Sequence, residues 1–261
     1  MNNIKNYKLI DISSNDIIGS VCLAESINHD KFNNLKKISN DITKNIILSS
    51  LNHPHIIKIY GCFEFGNNKY LVVECFDYTL EQAINICRWN KYIDNFKLIL
   101  MQILIAVDYL HENNIIHFNI NPNNIIINST FKKAKLLDLG SASSSLTKSS
   151  KSMTSLWYRS IEMLLDDSNS DFKSDIWSIG CVFAEMVLSI PIFIGFENIT
   201  QLYEIAKILG ESDDKESKKN NLFKKLKKLD NNGIDLITQM FIYDKNKRID
   251  AKTALNHDFF K

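Results

Sequence analysis

Residues 117–127 read His-Phe-Asn-Ile-Asn-Pro-Asn-Asn-Ile-Ile-Ile. Four asparagines around one proline make a polar loop, and the three isoleucines that follow are apolar and β-branched, as a short strand requires. A partner strand is expected in 134–139, Ala-Lys-Leu-Leu-Asp-Leu. Just before the loop, residues 95–114 place Phe96, Leu100, Ile103, Leu104, Val107 and Leu110 at helical spacing, which predicts a long buried helix. A further helix over 79–90 is opened by Thr79 and Gln82, whose spacing is that of a capping box. Downstream, helical periodicity recurs in 174–189, 199–210, 234–244 and 251–260.

Upstream the period changes. Segments 7–12, 19–24, 32–38, 55–65 and 69–76 are apolar, β-branched and separated by polar or turn residues, the pattern of an antiparallel sheet. One helix is expected among them over 41–51, with Ile42, Ile46 and Ile47 on one face. The order predicts an α+β chain, a small antiparallel β lobe followed by a larger helical lobe, with function at their junction. No internal repeat is evident.

Composition narrows the function classes. Of 261 residues, 31 are Lys or Arg and 30 are Asp or Glu, a net charge of +1, so no overall field favours nucleic acid or a membrane surface. The apolar runs are broken by charge well short of the roughly 20 residues a membrane span needs. Five scattered cysteines without a C-x-x-C pair, and an amino terminus without an apolar stretch, fit a reduced, intracellular protein, cytoplasmic or nuclear. The chain has only eight glycines, and Gly19 is the single one before Gly61, so no G-x-G-x-x-G phosphate loop exists. Gly61 and Gly66 have the spacing of a P-loop, but Asn67 and Asn68 follow where Lys and Ser or Thr are needed, so the segment reads as a hairpin turn.

Taken in order, 117–127, 135–143 (KLLDLGSAS), 156–165 (LWYRSIEMLL), 174–186 (SDIWSIGCVFAEM) and 246–260 (NKRIDAKTALNHDFF) resemble the eukaryotic protein kinase domain. Segment 191–210, PIFIGFENITQLYEIAKILG, brings the resemblance closest to the branch of cyclin-dependent and related Ser/Thr kinases. It covers Tyr7 to Phe260 and implies one two-lobed domain over 1–261, with an N-lobe of about 1–75, a hinge of about 76–79 and a C-lobe of about 80–261.

That family needs glycines over the phosphates, a Lys held by a helix Glu, an Asp base, and an Asn plus an Asp on magnesium. Here Ser14 and Asp16 occupy two glycine positions, leaving Gly19 and Val21; a carboxylate at Asp16 would repel ATP phosphates, unless the segment is simply a turn with no ligand above it. Lys36 stands at the phosphate-binding Lys position, or is a plain surface lysine. Lys44 falls where the helix Glu belongs, with Asp41 one turn earlier as a partial substitute. In the loop the base position is Asn119, the catalytic Lys position is Asn121, and Phe118 replaces the Arg that clamps a phosphorylated loop in regulated members. Asn124 and Asp138 match both magnesium positions, with a turn cap and a loop tether as their alternative roles. The backbone around Glu74 and Phe76 matches the adenine-binding segment.

Structural signatures persist. Glu162 and Arg248 match a buried ion pair, and Asp175 and Trp177 match the helix that anchors the loop, whereas Ser160 and Ile161 depart from the usual Ala-Pro. The expectation is a pseudokinase acting through protein partners, with ATP and Mg²⁺ binding weak; the alternatives are a divergent active Ser/Thr kinase and a nucleotide-free interaction domain. No cyclin-contacting motif is evident. The Ser-rich 141–155 reads as a solvated loop ahead of a phosphorylation site. The lysines between Lys218 and Lys228 read as a solvated helix face ahead of an acidic-partner or nucleic-acid patch.

Overall fold

The computed structural model describes residues 3–4, 7–12, 21–26, 32–38, 51–65, 68–86, 89–137, 143–144, 155–165, 170–210 and 215–261. The chain divides into two compact units, Met1–Asp77 and Tyr78–Lys261.

The first unit is a six-stranded sheet built from β1 (Asn3–Ile4), β2 (Tyr7–Ile12), β3 (Val21–Ser26), β4 (Phe32–Ile38), β5 (Ile59–Phe65) and β6 (Asn68–Val73). Its order is β1-β2-β3-β4-β6-β5, and every neighbouring pair is antiparallel. The strands β5 and β6 meet at the Phe65↔Asn68 pair, so the hairpin expected from Gly-Asn-Asn is the connection between them. Leu71, Val72 and Val73 on β6 are buried. The helix expected over 41–51 lies outside the described residues, apart from Leu51.

The second unit holds β7 (Tyr78–Thr79), α1 (Leu80–Ile86), α2 (Trp89–Glu112), β8 (Ile115–Ile116), β9 (Ile125–Ile127), β10 (Ala134–Leu136), β11 (Ser143–Ser144), α3 (Ile161–Leu164), α4 (Phe172–Leu188), α5 (Asn198–Leu209), α6 (Lys215–Lys225), α7 (Asn231–Met240) and α8 (Ala251–Leu255). Single-turn 3₁₀ helices form at Pro122–Asn124, Leu156–Tyr158 and Asp258–Phe260. Small sheets of order β10-β9-β7 and β11-β8 complete it.

The capping box at α1 forms as its sequence requires. Thr79 Oγ1 accepts from the Gln82 N–H, and the Gln82 side chain accepts from the Thr79 N–H. The helix α2 begins at Trp89 and not near Asn95, because no glycine or proline between them stops a helix from extending. Its six apolar positions named from the sequence are all buried. It packs against α4 and α8.

The centre of the unit is α4, buried from Ser174 to Val187 on every face, as a helix apolar all round must be. Gly180 is required there by close approach: a Cβ would stand 2.9 Å from the Phe241 ring. Segment 251–260 is not one helix. The helix α8 stops at Leu255, and His257 Nδ1 then caps the next turn by accepting from the Phe259 N–H.

The lysine-rich helix α6 departs from expectation. Leu222 and Leu226 face the core, but so does Lys218, which is fully buried. Its Nζ donates to the Phe241 carbonyl at 3.2 Å and sits 3.2 Å from the centre of the Tyr243 ring. A buried ammonium is tolerated where a carbonyl and an aromatic face replace its water, an arrangement that no periodicity count could distinguish from a solvated face.

Candidate functional site

The loop 117–124 is held by α4. Asp175 is fully buried, and its carboxylate accepts from the His117 N–H at 2.9 Å, the Phe118 N–H at 2.8 Å and His111 Nε2 at 2.9 Å. Charge-assisted bonds of this kind are roughly twice as strong as neutral ones. They hold Phe118 at φ 60, in the left-handed region a non-glycine residue seldom enters. Its side chain is buried. His117 Nδ1 accepts from the Asn119 N–H at 3.2 Å and Nε2 lies 3.1 Å from the Leu137 carbonyl, which assigns the proton to Nε2.

Within that frame the amides orient one another. The Ser155 N–H, 3.3 Å away, must meet an oxygen, so Asn119 presents Oδ1 to it. Asn121 Oδ1 accepts from the Asn123 N–H at 3.0 Å, so its Nδ2 turns to Asn119, donating to Oδ1 at 3.1 Å and to the carbonyl at 3.0 Å. Asn119 therefore offers an accepting oxygen that two neutral donors already occupy. Asn121 caps the 3₁₀ turn Pro122–Asn124.

Asn124 is buried and donates from Nδ2 to the Asn119 carbonyl at 2.8 Å, which leaves Oδ1 as its accepting atom. Among the described residues no donor reaches that oxygen. An amide oxygen of this kind suits a hard cation such as Mg²⁺. Asp138, the other expected magnesium position, lies outside the described residues.

In the first unit, Lys36 on β4 lies in register between Val21 on β3 and Leu71 on β6, so two expected nucleotide-site positions, Val21 and Lys36, are backbone partners on adjacent strands. At the end of β6 the Glu74 N–H donates to the Lys58 carbonyl at 3.1 Å, and the Glu74 carboxylate accepts from the Lys58 N–H at 2.8 Å. The N–H and C=O of Phe76 make no hydrogen bond among the described residues. Gly19, Ser14, Asp16, Asp41 and Lys44 lie outside the described residues, as does nearly all of the Ser-rich segment 141–154.

In the interior of the same unit, Arg248 and Glu162 form a bidentate pair, with N–O distances of 2.8 and 3.0 Å, and Ser174 donates to the same carboxylate at 2.9 Å. Burial pushes the Glu162 carboxyl up, but the bonds and charge of Arg248 outweigh it and hold the group below its ordinary value.

Two linkages went unread in the sequence. Tyr158 donates to Glu185 at 2.6 Å. Burial first, then the charge of Glu81, pushes Glu185 up to about 7. Gln201 is fully buried; its Oε1 accepts from the Gly195 N–H at 2.7 Å and its Nε2 donates to the Trp157 carbonyl at 3.2 Å. Gly195 is obligatory there, since a Cβ would lie 2.4 Å from the Gln201 nitrogen. A polar residue on an otherwise apolar helix face is the sequence signal available for Gln201.

An antiparallel sheet unit, a helical unit centred on α4, and a loop suspended from a buried aspartate define a protein kinase fold. The family described as "Protein kinase domain" matches residues 7–260, and the chain belongs to that family. No helix among the described residues is long and apolar enough to cross a membrane.

Proposed function

We propose that this chain is a pseudokinase of the cyclin-dependent-kinase-like branch, which works by binding protein partners, holds ATP and Mg²⁺ weakly, and does not transfer phosphate efficiently. The observation that carries this reading is the Asn119–Asn121 amide pair. A carboxamide cannot take up a hydroxyl proton at neutral pH, and loss of a general base costs about 10²–10⁴-fold. Asn121 replaces a cation that would stabilise charge on the transferred phosphoryl group, a contribution at least as large. The two defects meet in one hydrogen bond, with Asn121 donating to Asn119 Oδ1.

Residual nucleotide binding is supported by the uncommitted backbone groups of Phe76 and by the accepting oxygen of Asn124. The residues to which we assign it are Gly19, Val21, Lys36, Glu74 and Phe76 for the nucleotide, and Asn124 and Asp138 for the metal. Bound Mg²⁺ would supply charge neutralisation between phosphates.

A second reading, an active divergent Ser/Thr kinase, is favoured by the preserved anchoring of the loop on Asp175. A third, a nucleotide-free interaction domain, differs only in the pocket. Melting the protein in an ATP titration with and without Mg²⁺ tests the proposal, because a ligand that binds only the folded state raises the melting temperature by mass action. A small rise, larger with Mg²⁺, is expected. No rise at millimolar ATP would favour the third reading.

A further inference from the structure

The carboxyl end of α6 is a charged corner. Lys218 turns inward, and Lys219 is taken by Asp235 at 3.7 Å. Beyond them Lys224, Lys225, Lys227 and Lys228 are all exposed, and among the described residues none of the four meets a carboxylate. The nearest acidic residues in sequence are Asp230, whose side chain caps α7 by accepting from the Gly233 N–H at 2.7 Å, and Glu216, two turns back along α6. Phe223 stands at the head of the run, 51% exposed, while Leu222, Leu226 and Leu229 are buried and fix the corner to the core. Lys228 is held at the end of α4, its Nζ donating to the Val187 carbonyl at 3.4 Å.

We propose that the corner Phe223–Lys228 docks an acidic segment of a partner protein, about six residues long, rich in Asp and Glu and carrying one apolar side chain for Phe223. This rests on the reading that the chain works through protein partners, and it names the chemistry of one. The helix dipole at the end of α6 is worth about half a negative charge, so it offsets one ammonium in part and leaves the others uncompensated. Like charges this close repel, and an anionic partner relieves that repulsion. Extent selects the class of anion. Setting these four lysines aside turns the net charge of the chain from +1 to −3, so a nucleic acid or a lipid headgroup layer, each reaching far past the corner, would lie over a surface that repels it. A short segment ends where the corner ends. Six positions with their lysines extended span on the order of 20 Å, the length of about six extended residues at roughly 3.3 Å each.

Exposure sets the strength. Solvated ion pairs are individually weak and are screened over about 8 Å at physiological ionic strength. The complex is accordingly weak, with a dissociation constant on the order of 100 μM at low salt, and it loosens as salt is added.

Fluorescence anisotropy of the full chain with the labelled peptide Asp-Glu-Asp-Leu-Glu-Asp-Glu reads this directly. Binding should appear near 100 μM in about 50 mM salt and weaken about tenfold at about 300 mM. The same peptide with Asn and Gln in place of its acids should not bind. Lys224→Gln together with Lys227→Gln should weaken binding about tenfold. Lys224→Arg together with Lys227→Arg should bind as the wild type does, and Lys252→Gln, on α8, should change nothing. Phe223→Ala should cost about threefold, and nothing for a peptide that has Ser in place of Leu. These side chains are exposed, so melting temperatures equal to or above that of the wild type confirm that folding is intact. A wild type that does not bind the acidic peptide at millimolar concentration overturns the proposal, as does binding that survives both Gln substitutions. Tighter binding of an oligothymidylate of equal length, or of phosphatidylserine vesicles, also overturns it and assigns the corner to phosphate. Phosphate transfer plays no part in these readouts, so failure here leaves the pseudokinase reading standing.

Discussion

Arg248 and Glu162, 86 positions apart in sequence, meet in the interior of the helical unit through two parallel hydrogen bonds, both side chains almost wholly removed from water. The guanidinium spends its other donors on the carbonyls of Lys173, Ile242 and Tyr243. The pair thereby ties α3, the start of α4 and the loop before α8 into one piece.

Removing one partner strands a buried charge, so Arg248→Ala should lower stability by roughly 3–5 kcal/mol. Lys36→Ala, on a strand of the other unit, should cost little. Urea denaturation of both variants measures this. If Lys36 proves critical and Arg248 dispensable, the structural roles assigned to the two positions are wrong.

The two buried carboxylates give stability opposite pH dependences. Glu185 is raised from 4.5 to about 7, so its contribution is fully present below its unfolded value, is lost as pH climbs through that interval, and is gone above it. That loss is on the order of 3 kcal/mol at about 1.4 kcal/mol per pH unit. Glu162 is depressed, so its contribution stands above the unfolded value and is lost as pH falls through the folded one. Glu185→Gln should therefore flatten the decline in melting temperature between pH 5 and 8 and leave the acid limb unchanged. An unaltered decline would show that another group carries it.

Much of this arrangement is legible in the sequence. The strands and the α2 core follow from local periodicity, and the pairing of Glu162 with Arg248 follows from matching motifs in order. Lys218 and Glu185 were not legible, because each is a charged residue turned inward on a helix whose neighbours are polar or apolar for other reasons. What decides their burial is the carbonyl of Phe241 and the hydroxyl of Tyr158, contributed by segments far along the chain. The Asn119–Asn121 substitutions are plain in the sequence, but their mutual hydrogen bond depends on the turn at Pro122 and on Ser155, 36 residues away.

Nucleotide affinity should be low, with a dissociation constant of tens of micromolar or weaker, about −6 kcal/mol or less favourable. Adenine recognition through backbone groups does not need the phosphate loop, whereas a carboxylate at Asp16, in the role we propose for it, would oppose the phosphates alone. Asp16→Gly should thus tighten ATP more than adenosine in calorimetry. Equal tightening of both ligands would remove Asp16 from the phosphate site.

The most direct test of the central claim is phosphate transfer itself, measured with labelled ATP, Mg²⁺ and a generic protein substrate for the wild type, Asn119→Asp and Asp138→Ala. No transfer above background is expected in any of the three, since a carboxylate restored at position 119 would leave the losses we propose at Asn121, at the glycine positions and at Lys44 acting in the same transition state. Robust transfer by the wild type that disappears in Asp138→Ala would contradict it and identify the chain as an active kinase.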